Sequence, residues 1–405
     1  MKRKLLYTSL IAILIAIAAL SAWFFWPKPS NKITLRPIAF KHLNGWQQAD
    51  FFASFKAFKI SCSAFLRQSP EKSVGSQFID LKVKDWIPAC QAAFSVNGNN
   101  TQEIQAFFEK WFVPVAFHDN KPIKGLFTGY YLPLLKGSLK KTKEYPTPIY
   151  RAPKNLISVD LGQFDPSLKH HRKIKGRVKG SSLVPYFTRK EIKAGAIDKH
   201  AEVVAWINND VDRQFLEIEG SGLLQLEDGS QVYIGYEDQN GAPYTSIAKV
   251  LIDMGVMTRE NASMQRIRTY LKKHPEKVES ILNQNKSFVF FKILEQQGAL
   301  GTQGVVLTPG YSLAVDRKWV PIGAPVWLTT TRPGQNFKQQ VPFNRLMIAQ
   351  DTGGAIKGAV RGDVYWGGGA SAANIAGHMK NPGYYWLLLP RHKANQFQQI
   401  TIDPS

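Results

Sequence analysis

Cysteine is almost missing from this chain: Cys62 and Cys90 are the only two in 405 residues. So few exclude a disulfide-dense scaffold and any four-cysteine zinc site. Acid is short as well, with 30 Asp and Glu against 52 Lys and Arg, a formal net charge of +22. That excess points to a polyanionic partner, and nucleic acid, an anionic cell-wall polymer and a membrane surface fit it equally. No G-x-S-x-G elbow and no G-x-x-x-x-G-K-[ST] loop occurs, and the usual nucleic-acid motifs are missing too. Asp351-Thr-Gly matches the aspartic-protease triplet, but no second D-T-G or D-S-G is there to share a proton. The eight histidines are scattered, and His170-His171 has no third ligand nearby in sequence. Neither a metal site nor a cofactor is expected. No repeat of fixed period runs through the chain.

What is there is aromatic and apolar. Hydrophobic residues make up 44%, including 24 Phe, 14 Tyr and 10 Trp, which excludes a disordered chain and a polytopic membrane protein. The length implies two domains, or one domain with a large insertion. Lys2, Arg3 and Lys4 precede a charge-free run from Leu5 to Trp26. As a helix that run spans roughly 33 Å, enough to cross a bilayer. It reads as an uncleaved signal anchor, because Trp23-Phe24-Phe25-Trp26 extends it as an interfacial aromatic belt. Cleavage at Ala19-Leu20-Ser21 and a buried core helix are the alternatives. Basic residues flank the run almost equally, and the short basic start favours an exported body.

Residues 27–36 read as a linker. Phe51, Phe55, Phe58, Cys62 and Phe65 have helical spacing, and a second helix covers Trp86 to Phe94. Asn100 and Glu103 form a capping-box pair before Ile104, Phe107 and Phe108, so 42–115 is expected to be mainly helical. Cys62 and Cys90 fall on two of these helices, as a disulfide or as two buried thiols. From about 125 the texture is β-rich, with strands expected at Thr147–Tyr150, Val203–Ile207 and Gln231–Gly235. Thr188 and Glu191 form another capping box. Residues 165–180 are strongly basic and read as a mobile loop or exposed ribbon. Residues 244–282 are helical again, and β character returns from Ser287 to Pro390. The class is α+β.

The densest chemical signal is Ala349 to Gly358 followed by Asp363-Val-Tyr-Trp-Gly367. Asp351 and Asp363 bracket a glycine-rich loop carrying Lys357 and Arg361, and glycines allow close approach of backbone to a ligand. Asp316 lies in another apolar stretch. Carboxylates in such surroundings acquire the raised pKa that a general acid needs. Each also has a plainer reading: Asp351 as a turn residue before Thr-Gly-Gly, Asp316 as the partner of a cation.

These blocks resemble the membrane-bound lytic murein transglycosylase A family of Gram-negative bacteria, over about residues 50–390. The resemblance is carried by Phe127–Pro133, Ile218–Gly222, Gly235–Ile247, Asn285–Phe291, Leu307–Asp316 and Asp351–Gly367. It implies a six-stranded double-psi β-barrel domain with N-terminal helices and a second, inserted β-rich domain. The divisions expected are 1–30 for anchor and linker, 31–127 for the N-terminal part of the barrel domain, 128–290 for the insert with its trailing helices, and 291–405 for the rest of the barrel. It also implies cleavage of the β-1,4 bond between N-acetylmuramic acid and N-acetylglucosamine, leaving a 1,6-anhydro end. Asp363 corresponds to the catalytic aspartate, with Asp351 and Asp316 supporting it. Thr128, Tyr130, Tyr131, Glu219, Ser221, Lys357 and Trp366 are expected to bind glycan, and Trp319 is a further stacking candidate.

Two departures stand out. Glu219 occupies a place where the family pattern leads one to expect Gln, which adds a carboxylate near the groove and bears on pH dependence. The chain also has an anchor of its own where relatives are often lipoproteins. The partners implied are peptidoglycan strands, the inner membrane through the N-terminal helix, and cell-wall enzyme complexes, with a periplasmic location and no nucleic acid. An inactive peptidoglycan-binding scaffold is the alternative function.

Overall fold

The computed structural model describes residues 32–168, 173–295, 297–334, 339–397 and 400–402. The expected anchor over 1–30 and His170-His171 lie outside the described residues. Among the described residues, no helix is long and apolar enough to cross a membrane.

The Phe51 periodicity produces the helix Phe52–Phe65, which buries Phe55, Phe58, Cys62 and Phe65 on one side. A second helix covers Ile87–Ser95, with Pro88 in its first turn, where a missing N–H costs nothing. Cys62 and Cys90 join these two helices as a disulfide, with Cα atoms 5.0 Å apart. The third helix, Thr101–Trp111, starts where the Asn100 side chain accepts the N–H groups of Gln102 and Glu103. Such a cap is worth about 1 kcal/mol. Phe51, Phe55, Phe58, Phe107, Phe108 and Phe112 then form one aromatic cluster, which meets the barrel at Trp327.

Contrary to the expectation of helix as far as residue 115, the last helix of this part ends at Trp111. A strand begins at Phe112 and runs to Asp119, and Ile33–Pro37, which overlaps the end of the expected linker 27–36, pairs with it antiparallel. Both segments are extended because their partners are far away in sequence, a contact that local periodicity cannot register.

Six strands close into a barrel. Pro325–Pro333 pairs with Gln340–Thr352, followed by Ser312–Val315, Arg361–Gly368, Gly125–Leu132 and Lys380–Pro390, which returns to Pro325–Pro333. Two seams are parallel: Ser312–Val315 with Gln340–Thr352, and Arg361–Gly368 with Gly125–Leu132. Closure leaves no open edge in this ring, and Phe127, Leu313, Val315, Val326, Leu328, Val364 and Leu387 belong to its core. The protein is α+β and strand-rich, as the sequence leads one to expect. All of Gly125–Leu132 belongs to the ring.

Between Pro133 and Leu294 the chain builds a second sheet in the order Val289–Ile293, Gln231–Gln239, Ser221–Gln225, Leu134–Ser138, Val203–Ile207, Thr147–Tyr150. It has its own core around Ile149, Ile207, Leu224, Ile234 and Phe291. The helices Ile247–Asp253, Met264–Lys273 and Pro275–Leu282 pack with Phe215 in a further cluster. The Thr188–Glu191 capping box forms, and the helix after it carries Arg189 into the interior to pair with Glu217, their side chains 1% and 3% exposed. The basic stretch contributes Ile174–Lys179 to a small ribbon with Ile157–Val159 and Ser182–Pro185.

Candidate active site

The site follows from strand register. Ala314 is the Cα partner of both Asp351, across a parallel seam, and Asp363, across an antiparallel one. Asp363 is in turn the partner of Thr128. One row across four neighbouring strands therefore reads Asp351, Ala314, Asp363, Thr128. With strands ~4.8 Å apart, the two aspartates are about 10 Å apart at their Cα atoms, with a methyl group between them. Leu313, Val315, Val364 and Phe127 alternate to the other face and fill the core, so the row lies on the outside of the barrel. There Leu223 and Tyr233 of the insert pack against Tyr130, Leu132, Ala314 and Tyr365.

Thr128 donates from Oγ1 to Asp363 Oδ1 at 2.7 Å, and its oxygen accepts from Arg361 Nη2 at 2.7 Å. Burial pushes the Asp363 carboxyl above the usual carboxylate range. Arg361 and the Thr128 hydroxyl pull it down, while the charge of Asp351 adds to the rise. Asp351 is held by four donors: Tyr130 OH at 2.8 Å, the Thr302 N–H and hydroxyl at 2.9 and 3.0 Å, and the Thr352 N–H at 2.8 Å. Burial raises it as well, and those bonds oppose the rise. Asp316 is elsewhere. Its oxygens accept the N–H groups of Lys318 at 3.0 Å and Gly358 at 2.9 Å, so it holds the glycine-rich loop.

The remaining expected residues divide. Tyr130 belongs to the site through Asp351. Tyr131 points to the opposite side of its strand, against Ala372 and Ala376 of the helix Gly369–His378. Gly129 permits that helix to lie close, since a Cβ there would be 2.6 Å from Trp366 Nε1 and 2.9 Å from Ala376 Cα. Trp366 alternates away from Asp363 and packs tilted against Phe343 with ring centroids 5.3 Å apart. Trp319 is core, against Phe78 and Phe117. Ser221 is buried in its strand, and Lys357 is exposed on the loop. Glu219 reaches across from the insert, its Oε2 accepting the Tyr131 N–H at 3.0 Å. Thr302 escaped sequence reasoning because it lies in a turn with no motif around it. Beside Tyr131 a cleft of about 510 Å³ opens between barrel and insert, lined also by Lys136, Tyr145, Asp212, Arg268 and Ala373. Asp363 is not on its wall. No group of three or more His, Cys, Asp or Glu that could hold a metal occurs among the described residues.

Residues 126–292 match the family model of the MltA specific insert domain, and 311–389 that of the 3D domain. The membrane-bound lytic murein transglycosylase A of Escherichia coli (strain K12) is 32% identical over 329 residues, 80% of this chain and 79% of that protein. The fold aligns with a membrane-bound lytic murein transglycosylase from Agrobacterium tumefaciens at TM-score 0.79 and 29% identity, covering 90% and 99% of the two chains. It also aligns with E. coli MltA carrying bound chitohexaose, at TM-score 0.61 and 27% identity over 83% and 90%. Barrel, insert and these relatives define the class: an enzyme, a lyase acting on peptidoglycan. The chain belongs to the membrane-bound lytic murein transglycosylase A family.

Proposed function

We propose that this enzyme cleaves the β-1,4 bond between N-acetylmuramic acid and N-acetylglucosamine with Asp363 as its single acid and base. Asp363, kept protonated by burial and by the Asp351 charge, gives its proton to the leaving glycosidic oxygen as the bond to C1 breaks. The C6 hydroxyl of the same muramic sugar then attacks C1, and the Asp363 carboxylate takes its proton. The product is a 1,6-anhydro end, no water is consumed, and Asp363 is again protonated. An ordinary glycosidase needs a second carboxylate to activate water or to attack C1. Asp351 is poorly placed for that, with four donors on its oxygens.

The observation that carries this reading is the row Asp351–Ala314–Asp363–Thr128 on the barrel's outer face, turned toward the insert. A glycan strand lies between barrel and insert, where the cleft beside Tyr131 extends the site. The chitohexaose held by the E. coli relative supports a glycan of that kind. Asp316 contributes through the loop it holds. The barrel carries the chemistry and the insert, Pro133 to Leu294, closes over it. The relatives' description as membrane-bound supports a place in the cell envelope, with the first thirty residues as anchor in the inner membrane.

The test is mass spectrometry of soluble products from purified murein sacculi, with the full chain and its Asp363→Asn variant. Anhydromuropeptides from the unaltered enzyme alone are expected. Reducing-end products would instead mean hydrolysis by a second carboxylate. Binding to sacculi without any product would favour a scaffold.

A further inference from the structure

Glu219 is a buried carboxyl, 7% exposed, that the cleavage steps above do not use. It ends the helix Asp210–Glu219, and Gly220, at φ 75°, turns the chain into the strand Ser221–Gln225. The negative end of a helix is an unfavourable place for a carboxylate. From there its side chain crosses to the barrel and accepts the Tyr131 N–H, three residues along the strand from Thr128.

The charged and titratable groups around it come from every neighbouring element. The barrel supplies Tyr131 and Asp363, the helix Met264–Lys273 supplies Arg268, and the segment before Ile247 supplies Tyr244. On its own helix Asp212 holds Arg268 at 2.5 Å. The nearby cation is thus already paired, and a charge on Glu219 would be poorly compensated. Burial, then the charge of Asp363, push the Glu219 carboxyl up to about 8, against the pull of the Tyr131 N–H and Arg268.

We propose that Glu219 is a positioning residue that clasps the insert to the catalytic strand while neutral and gives the enzyme a second alkaline limit when it ionises. This rests on Asp363 being the acid. A neutral, hydrogen-bonded carboxyl cannot take the C6 proton, so Glu219 is not the base. Once ionised it becomes a buried anion close to another, and water or movement at the seam is the way to relieve it. The strand bearing Thr128 then no longer holds Asp363 in place.

The experiment is the pH dependence of kcat/KM for anhydro-product release from solubilised glycan strands, using the full chain and its Glu219→Gln variant. Gln keeps the size and the acceptor for the Tyr131 N–H but cannot ionise. In the unaltered enzyme the limb above pH 8 should steepen to a two-proton loss, whereas Glu219→Gln should show one. The variant-to-parent ratio should then rise about tenfold between pH 7 and 9. A one-proton limb in the parent, or superimposable profiles, would overturn the inference. Thermal midpoints across the same range give a reading independent of turnover. A carboxyl raised by folding adds stability below its unfolded value that is lost as pH rises through about 8. The midpoint of Glu219→Gln should therefore gain on the parent between pH 5 and 9, and parallel curves would count against the inference. Should the parent release no anhydro product at any pH, the function itself has been misread, a different failure.

Discussion

Replacing Thr128 by Val removes the hydroxyl between Arg361 and Asp363 and leaves the volume almost unchanged. The 2.7 Å bond from Thr128 favours the charged form of Asp363, so its loss raises the carboxyl further. A hydrogen bond to a charged acceptor is worth about 1.5–3 kcal/mol. At 1.36 kcal/mol per pH unit that moves the midpoint up by about 1–2 units. Asp363 must hold its proton to act as acid, so the limb on which its ionisation ends activity should move to higher pH by that amount. Turnover at the optimum should fall, because a carboxyl of higher pKa is the weaker acid. The assay is product release across pH 5–10, with Thr128→Ser as a control that restores the hydroxyl and the parental limb. A limb that stays or moves down in Thr128→Val would refute the reasoning and would mean that Arg361 had swung onto Asp363 itself.

Asp316→Asn should lower kcat by weakening the hold on Gly358, and the alkaline limb should remain at its parental pH; a moved limb would place Asp316 beside the reacting carboxyl. Serine at both Cys62 and Cys90 opens a crosslink of sequence separation 28, costing about 3–4 kcal/mol on a loop-entropy basis, measurable by urea unfolding of the full chain. An unchanged midpoint would show that the two helices need no tie. Arg189→Met leaves the Glu217 carboxylate buried and strips the Asn285 and Ser287 carbonyls of their donor, a loss of about 3–5 kcal/mol. A cost below 1 kcal/mol in the same unfolding measurement would mean that water replaces the guanidinium.

Much of this protein follows from local sequence. The Phe51–Phe65 spacing and the Asn100 and Thr188 caps specify helices and their starts through contacts within one or two turns. The aspartates at 351 and 363 stand out for the same local reason, a glycine-rich loop between apolar strands. Pairing was not legible. Ile33–Pro37 and Phe112–Asp119 become strands only because each meets the other across the fold. Alternation along Gly125–Leu132 indicates two faces but not which of them meets the insert, so Tyr130 and Tyr131 look equivalent although the first holds Asp351 and the second packs under a helix. Trp319 and Trp366 looked like sugar platforms, and both are engaged in packing.

By itself, then, the sequence determined the first helices and those of 247–282, the basic charge and the family, and it marked Asp351 and Asp363 as candidates, because motif and periodicity are properties of neighbours in the chain. Only the tertiary structure decided that Ala314 sets the gap between Asp351 and Asp363, that Thr128 and Arg361 act on the same carboxyl, and that Glu219 bridges two sheets. Those relations depend on register across strands and on burial, and both exist only once segments far apart in sequence have closed the barrel and brought the insert against it.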